Sequence, residues 1–192
     1  MSTATLHRLS ADEYLALERV AESKSEFFEG EMIPMSGGSA VHSLIAMNFG
    51  SELRRVLRGQ GYRVYTSDLR VLTPEGLYTY PDVSVVGDTP RFDDDQQDIL
   101  LNPVLLVEVL SPSSEANDRG AKFARYREIE SLRTYVLLSQ NSANVEVFSR
   151  QLDDSWSLRT FRSGNVTIHD PAGEIEIAEI YDQVNLTAKG TR

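Results

Sequence analysis

Val104-Leu105-Leu106-Val107-Glu108-Val109-Leu110 is the stretch of this 192-residue sequence that decides the fold. Its apolar residues follow one another without alternation, which is typical of a strand that is covered on both faces. Glu108 interrupts the run, and a carboxylate at a covered position is costly unless it is paired or binds a cation. Two interpretations follow: Glu108 belongs to a buried site, or it lies at the strand end, where it faces solvent or pairs with an arginine.

Periodic segments on both sides of this strand predict a single α/β domain over residues 1–192. Ser10 and Glu13 have capping-box spacing and begin a short helix, and an apolar stripe predicts a second helix from Ser39 to Arg58. A third helix is expected over 114–129, and strands are expected over 24–36, 62–72, 77–86, 104–110, 134–138, 145–148 and 156–161. This order predicts a mixed central sheet flanked by helices, with a strand-rich C-terminal third.

Composition excludes several classes of protein. The chain is 41% hydrophobic and 25% charged, which is typical of a globular protein and too apolar for a disordered one. No apolar run approaches the roughly 20 residues that span a bilayer, and residues 1–10 lack the apolar core of a secretory signal. We therefore expect a cytoplasmic protein with no membrane partner. The absence of cysteine excludes disulfides, thiolate zinc sites and cysteine nucleophiles.

The net charge of −10 disfavours tight, non-specific binding of nucleic acid, because an acidic surface repels phosphate. It does not exclude a nuclease whose basic residues lie on one face and whose catalytic carboxylates are neutralised by metal ions. Charge therefore limits the mode of nucleic-acid binding and leaves the fold undecided.

A Pro-Asp pair, Pro81-Asp82, precedes the apolar Val83. Proline cannot donate to a strand ladder, so Asp82 is expected where a strand begins. Such a pair is also common in turns. It becomes a candidate site because Glu108 is a second acid on the next predicted strand. Two acids on neighbouring strands can together hold a hard cation such as Mg²⁺ or Mn²⁺, which prefers oxygen ligands.

Asp118 and Lys122 lie four residues apart, on one face of the third predicted helix. On spacing alone, they form an ordinary surface ion pair that contributes about 0.2–0.5 kcal/mol. Their significance comes from the wider sequence context.

Three segments together, residues 80–86, 102–113 and 118–126, resemble the Uma-two family of restriction-endonuclease-like proteins, within the PD-(D/E)XK nuclease superfamily. Residues 25–31 and 67–70 also resemble the family, and the likeness extends from Leu9 to Tyr181. The resemblance implies a restriction-endonuclease-like fold and a Mg²⁺-dependent (or Mn²⁺-dependent) endonuclease that hydrolyses DNA. It also implies a homodimer, because restriction-type nucleases often pair two active sites.

The resemblance further implies a role for each matching residue. Asp82 and Glu108 are the metal ligands, and Glu26 is the additional acid that the superfamily often takes from an N-terminal element. The superfamily expects lysine two residues after Glu108, where this sequence has Leu110. Lys122 is expected to replace it, orienting the attacking water or stabilising the pentavalent anion. We expect Asp82, Glu108 and Lys122 to meet in one pocket with Glu26 at its edge.

Several residues are candidates for DNA contact. His42 lies near a helix start, where the family often has histidine. It contacts phosphate, acts as an acid or base near neutral pH, or makes only local hydrogen bonds. A basic patch or a solvated helix face is formed by Arg54, Arg55, Arg58, Arg63 and Arg70. Aromatic residues of the C-terminal strands either form a dimer interface or belong to the core: Tyr135, Phe148, Trp156 and Phe161.

The alternative to an endonuclease is a non-catalytic interaction protein that keeps the nuclease fold. Leu110 and the negative net charge favour this alternative. The enzyme is favoured because a binding module has no reason to keep a carboxylate within an apolar strand.

Overall fold

The computed structural model describes residues 8–186. The helices are α1 (Ala11–Glu18), α2 (Ala40–Val56), α3 (Glu115–Asn117), α4 (Phe123–Tyr126) and α5 (Ile177–Ile180), and a π-helix (Asp118–Lys122) joins α3 to α4. The strands are β1 (Ser25–Phe28), β2 (Glu31–Pro34), β3 (Arg63–Thr66), β4 (Arg70–Leu72), β5 (Tyr78–Thr79), β6 (Val83–Val86), β7 (Ile99–Leu100), β8 (Leu105–Leu110), β9 (Thr134–Ser139), β10 (Val145–Arg150), β11 (Trp156–Phe161), β12 (Asn165–His169) and β13 (Ala172–Glu176).

The predicted mixed sheet with helices on its faces is confirmed, and its strand order is β11-β10-β9-β8-β6-β3. β8 lies in its interior, antiparallel to β6 and parallel to β9. The register pairs Val83 with Val107, so the Pro-Asp segment and the apolar strand share one sheet, as predicted. All six residues of β8 are buried, and Glu108 is only 5% exposed, so the solvent-facing interpretation of Glu108 is wrong.

A second sheet, with strand order β2-β1-β5-β4-β7, was not predicted from the sequence. It arises because two predicted strands each split in two: 62–72 becomes β3 and β4, and 77–86 becomes β5 and β6. In both cases one half joins each sheet. Pro81 lies at the second split, where its missing N–H cannot extend a ladder. The chain thus passes from one sheet to the other between β5 and β6, in the segment that contains Asp82.

Helix α2 packs on one face of the six-stranded sheet through Ile45, Phe49 and Leu53. The opposite face packs against Tyr126 of α4 and against Val71 of the second sheet. Burial of apolar residues on both faces of the six-stranded sheet explains why β8 has no polar alternation. No helix within residues 8–186 is both long and apolar enough to cross a membrane.

Both predicted helix starts are confirmed. The hydroxyl of Ser10 accepts a hydrogen bond from Glu13 N at 3.2 Å, and the Glu13 carboxylate accepts from Ser10 N at 2.8 Å, which completes the capping box. Ser39 caps α2 by accepting from His42 N at 3.1 Å. His42 is thereby fixed in the first turn of α2.

The predicted helix over 114–129 is interrupted by a π-helical turn, a feature that often occurs at functional sites. The C-terminal aromatic residues pack within the chain. Phe123 stacks on the fully buried Tyr135 at 5.2 Å between ring centroids and lies 4.6 Å from Phe148 and 5.3 Å from Trp156. These contacts account for Tyr135, Phe148 and Trp156 without a dimer interface. Phe161 packs against the core cluster on the α2 side of the sheet, and the homodimer stays a prediction.

Candidate active site

Strand pairing brings Asp82 and Glu108 together. Asp82 immediately precedes β6, and extending the observed register by one residue places it opposite Glu108 on β8. Directly opposite residues on antiparallel strands have Cβ atoms about 4.5–5.5 Å apart and point to the same face. The backbone N–H of Val109 donates to Asp82 Oδ2 at 2.7 Å, which fixes the carboxylate beside β8.

Lys122 reaches into this site from the π-helix. Its Nζ lies 2.9 Å from Glu26 Oε1, 3.1 Å from Glu108 Oε1 and 3.7 Å from Asp118 Oδ1. Lys122 is 6% exposed and Asp118 is 2% exposed, so the interpretation of this pair as a surface ion pair is wrong. The single ammonium group of Lys122 therefore forms ion pairs with three buried or half-buried carboxylates.

Two hydroxyl groups donate hydrogen bonds to the carboxylates of Glu108 and Glu26. The Tyr126 hydroxyl donates to Glu108 Oε1 at 2.8 Å, and the Thr79 hydroxyl donates to Glu26 Oε1. Thr79 Oγ1 also lies 3.5 Å from the Tyr126 hydroxyl, which links the second sheet to α4. Thr79 was not predicted, because a threonine in a two-residue strand has no distinctive sequence signal. Asp118 was noted only as a partner of Lys122.

The cluster contains more acid than one cation can neutralise. Burial raises the pKa of Glu108 to about 8, an effect that Lys122 opposes and that Asp82 and Asp118 increase. Burial also raises the pKa of Asp118. Desolvation alone would lower the pKa of Lys122, but Glu108, Glu26 and Asp118 outweigh it and raise that pKa well above its usual range. Lys122 therefore stays charged, while Glu108 binds a proton near neutral pH.

His42 contacts the site from α2. Its Nε2 lies 3.2 Å from Asp82 Oδ2, and this hydrogen bond raises the pKa of the imidazole. The contact shows that His42 has a long-range partner in addition to its bond to the Ser39 cap. The interpretation in which His42 makes only local hydrogen bonds is therefore wrong.

The position expected to carry the superfamily lysine is filled by Leu110, which is 5% exposed and packs in the core beside Tyr126. Leu110 and Glu108 lie two residues apart and so face the same side of β8. The ammonium of Lys122 reaches that side from the following helix.

The candidate DNA-binding arginines do not form one patch. Arg70 is 5% exposed and pairs with Asp98 in the second sheet, so it is not available to phosphate. Arg55 is exposed and pairs with Glu52 at 2.6 Å. Arg58 and Arg63 are also exposed. Of the five predicted arginines, only Arg54 lines the cleft that contains the carboxylates.

That cleft has a volume of about 1230 Å³, and its wall includes Glu26, His42, Asp82, Glu108 and Lys122. Among residues 8–186, no group of three or more histidine and acidic side chains is arranged to hold a metal ion. Asp82, immediately before β6, and Glu108, opposite it on β8, are the two cleft carboxylates that neighbouring strands bring together.

The fold is similar to that of a known crystal structure. The chain is similar to the crystal structure of a "putative nuclease belonging to DUF820" from Anabaena variabilis, with a TM-score of 0.73 and 22% identity over 91% of this chain and 98% of the other. That likeness defines the fold as one found in a nuclease-like protein.

The sequence model of the Uma2 (Uma-two) family, described as "Putative restriction endonuclease", matches residues 11–179, and the chain belongs to this family. Two relatives come from Synechocystis sp. The uncharacterized protein sll1609 is 38% identical over 88% of this chain and 96% of its own length. The uncharacterized protein slr1290 is 35% identical over 85% of each chain.

Proposed function

We propose that this protein is a metal-dependent endonuclease that hydrolyses phosphodiester bonds in DNA. The observation that carries the proposal is the position of the Lys122 ammonium, within 3.1 Å of both Glu26 and Glu108 in a cleft that Asp82 also lines. These four residues come from four separate segments of the chain. Burying such a cluster is costly for the fold, which favours a functional reason for its presence.

The carboxylates fit a magnesium ion. Mg²⁺ takes one or two protein carboxylates and keeps several waters, so Asp82 and Glu108 are a sufficient set. The Val109 N–H and His42 both contact Oδ2 of Asp82, and Tyr126 and Lys122 both contact Oε1 of Glu108. The other oxygen of each carboxylate, Oδ1 of Asp82 and Oε2 of Glu108, is not contacted by any of these four groups. Both side chains can therefore bind a cation while keeping the contacts that orient them.

A bound divalent cation would polarise the scissile phosphate and lower the pKa of a water ligand. The protein groups supply positioning and charge. Lys122 is held charged at neutral pH and can stabilise negative charge that develops on the phosphate. Tyr126 orients Glu108 through its hydrogen bond, and the backbone of Val109 orients Asp82.

The test is cleavage of circular single-stranded DNA and of supercoiled plasmid, with Mg²⁺ or Mn²⁺. Wild-type protein should cut circular substrates, and Glu108→Gln and Asp82→Asn should each reduce the rate by at least about a hundredfold. The matched control is Glu128→Gln, at an exposed glutamate outside the cleft. Equal rates for wild type and Glu108→Gln, or no cleavage by folded wild type with either metal, would contradict the proposal.

A non-catalytic interaction protein is the second candidate. Two observations favour it: no group of three metal-binding side chains was found within residues 8–186, and Lys122 already neutralises part of the acidic cluster. Titration calorimetry with Mg²⁺ distinguishes the two candidates. The endonuclease requires heat of binding to wild type that Asp82→Asn abolishes, and the interaction protein requires none. The cytoplasmic location and the homodimer stay predictions.

A further inference from the structure

The cleft continues beyond the carboxylates, along helix α2. Its wall includes His42, Met47 and Arg54 of this helix. At 1.5 Å per residue, His42 and Arg54 are about 18 Å apart along the helix axis. Val64 and Tyr65 of β3 also line the cleft. We call the part of the cleft lined by Met47, Arg54 and Val64 the α2 arm.

Outside the carboxylate cluster, few cations are available to bind phosphate in this cleft. Besides His42, its charged wall residues are Lys24, Glu26, Arg54, Asp82, Glu108, Asp118 and Lys122. Lys122 is engaged by carboxylates, and Lys24 Nζ lies 2.5 Å from Asp68 Oδ1 and 2.9 Å from the Ser67 carbonyl. Arg54 is exposed and has no hydrogen bond or ion pair with any residue between 8 and 186. Arg54 is thus the one uncommitted lysine or arginine in the wall of the described cleft.

This charge distribution is a poor match for double-stranded DNA. A protein that grips a duplex neutralises several phosphates on two strands, mainly with lysine and arginine. The cleft wall has four acidic and only three basic side chains, and two of the basic ones, Lys24 and Lys122, are already paired with carboxylates. The wall therefore cannot neutralise several phosphates on two strands. A single strand needs fewer phosphate contacts, because its bases provide a second source of binding energy.

The walls of the cleft provide surfaces for such bases. Met47 on α2 is 65% exposed and Ile33 on β2 is 48% exposed, so apolar side chains face solvent on two different elements that line the same cleft. Tyr65 also lines the cleft, but its ring packs against the core cluster on the face of the sheet opposite α2. Unpaired bases pack against apolar and aromatic groups, whereas the faces of bases in a duplex are already stacked on their neighbours.

We propose that the cleft binds a single strand of nucleic acid, or an unpaired stretch of a duplex, that runs along α2. One phosphate lies at Arg54, and bases contact Ile33 and Met47. This inference rests on the proposed function, because the strand is placed so that its scissile phosphate lies at Asp82 and Glu108.

The test measures binding separately from cleavage. A short fluorescein-labelled oligonucleotide, alone or annealed to its complement, is titrated with the full chain in the presence of Ca²⁺, a hard cation with the same preference for oxygen ligands. Fluorescence anisotropy should show at least about tenfold tighter binding of the single strand, the contribution expected from stacking of one base. Arg54→Ser should weaken this binding and reduce the slope of log K against log salt by about 0.7.

Arg55→Ser is the matched control, because it removes the same charge one residue away, at a side chain that is paired with Glu52. It should leave both affinity and salt slope unchanged. Binding of the duplex as tight as that of the single strand, equal effects of the two variants, or no binding of either oligonucleotide would overturn the inference. Preferential single-strand binding with no cleavage of any substrate would instead contradict the proposed endonuclease and leave the binding mode standing.

Discussion

Replacing Glu108 with glutamine should make the protein more stable than wild type at neutral and higher pH. Folding buries Glu108 and raises its pKa from 4.5 to about 8. Between these values the folded state keeps a proton that the unfolded state has lost, so the free energy of unfolding falls as pH rises from 4.5 to about 8. Glutamine has nearly the same shape, can accept the hydrogen bond from Tyr126, and does not ionise.

The magnitude follows from the pKa. At about 1.4 kcal/mol for each unit, the wild type loses about 3 kcal/mol between pH 4.5 and about pH 7 through this residue, and about 5 kcal/mol once Glu108 is fully ionised. The Glu108→Gln variant should show neither loss of unfolding free energy, because glutamine does not ionise. For a chain of this size, about 3 kcal/mol corresponds to a difference in Tm of about 6–12 °C.

The assay is urea unfolding of wild type and Glu108→Gln across this pH range, with EDTA present so that no divalent cation binds. The quantity of interest is the difference in unfolding free energy between the two proteins, which cancels the titration of groups they share. Glu128→Gln, at an exposed glutamate, is the control and should show no pH-dependent difference. A Glu108→Gln difference that stays constant from pH 4.5 to about 8, or that shifts in favour of wild type, would refute the reasoning.

Three other predictions concern the same site. Mg²⁺ at about a hundredfold excess over its Kd should stabilise wild type by about 2.7 kcal/mol, and Asp82→Asn should remove this effect in a thermal unfolding assay. Lys122→Met should cost about 3–5 kcal/mol of unfolding free energy near neutral pH, because it leaves buried carboxylates without a cation; denaturant unfolding equal to wild type would contradict this. NMR titration of His42 should give a pKa above 6.5 that falls in Asp82→Asn, with His42 stabilising the fold at low pH and losing that contribution as pH rises through its folded pKa.

The sequence predicted the central part of the fold well. The apolar run around Glu108 identified β8 as a strand covered on both faces, since only burial on both sides allows apolar residues without alternation. The periodic stripe of Ile45, Phe49 and Leu53 identified α2, and the capping box of Ser10 and Glu13 identified the start of α1. These features depend on neighbours along the chain, and such local patterns are visible in a sequence.

The second sheet could not be predicted in the same way. Strands β3 and β4 have similar residues and are separated only by a short turn, yet they pair with different partners. Pairing is decided by which distant edge is free and by which faces need cover. Neither quantity is recorded within residues 62–72.

The sequence alone identified two acids of the site, Glu108 and Asp82, since a carboxylate within an apolar strand and a Pro-Asp pair at a strand start stand out locally. Only the tertiary structure decided their chemistry. It placed Lys122 among Glu26, Glu108 and Asp118, it added the hydroxyl of Thr79 from the second sheet, and it removed Arg70 from the candidate DNA contacts by burial. The physical reason is that a pKa or an ion pair depends on distance and desolvation, and both are set by packing between segments that are far apart in the chain.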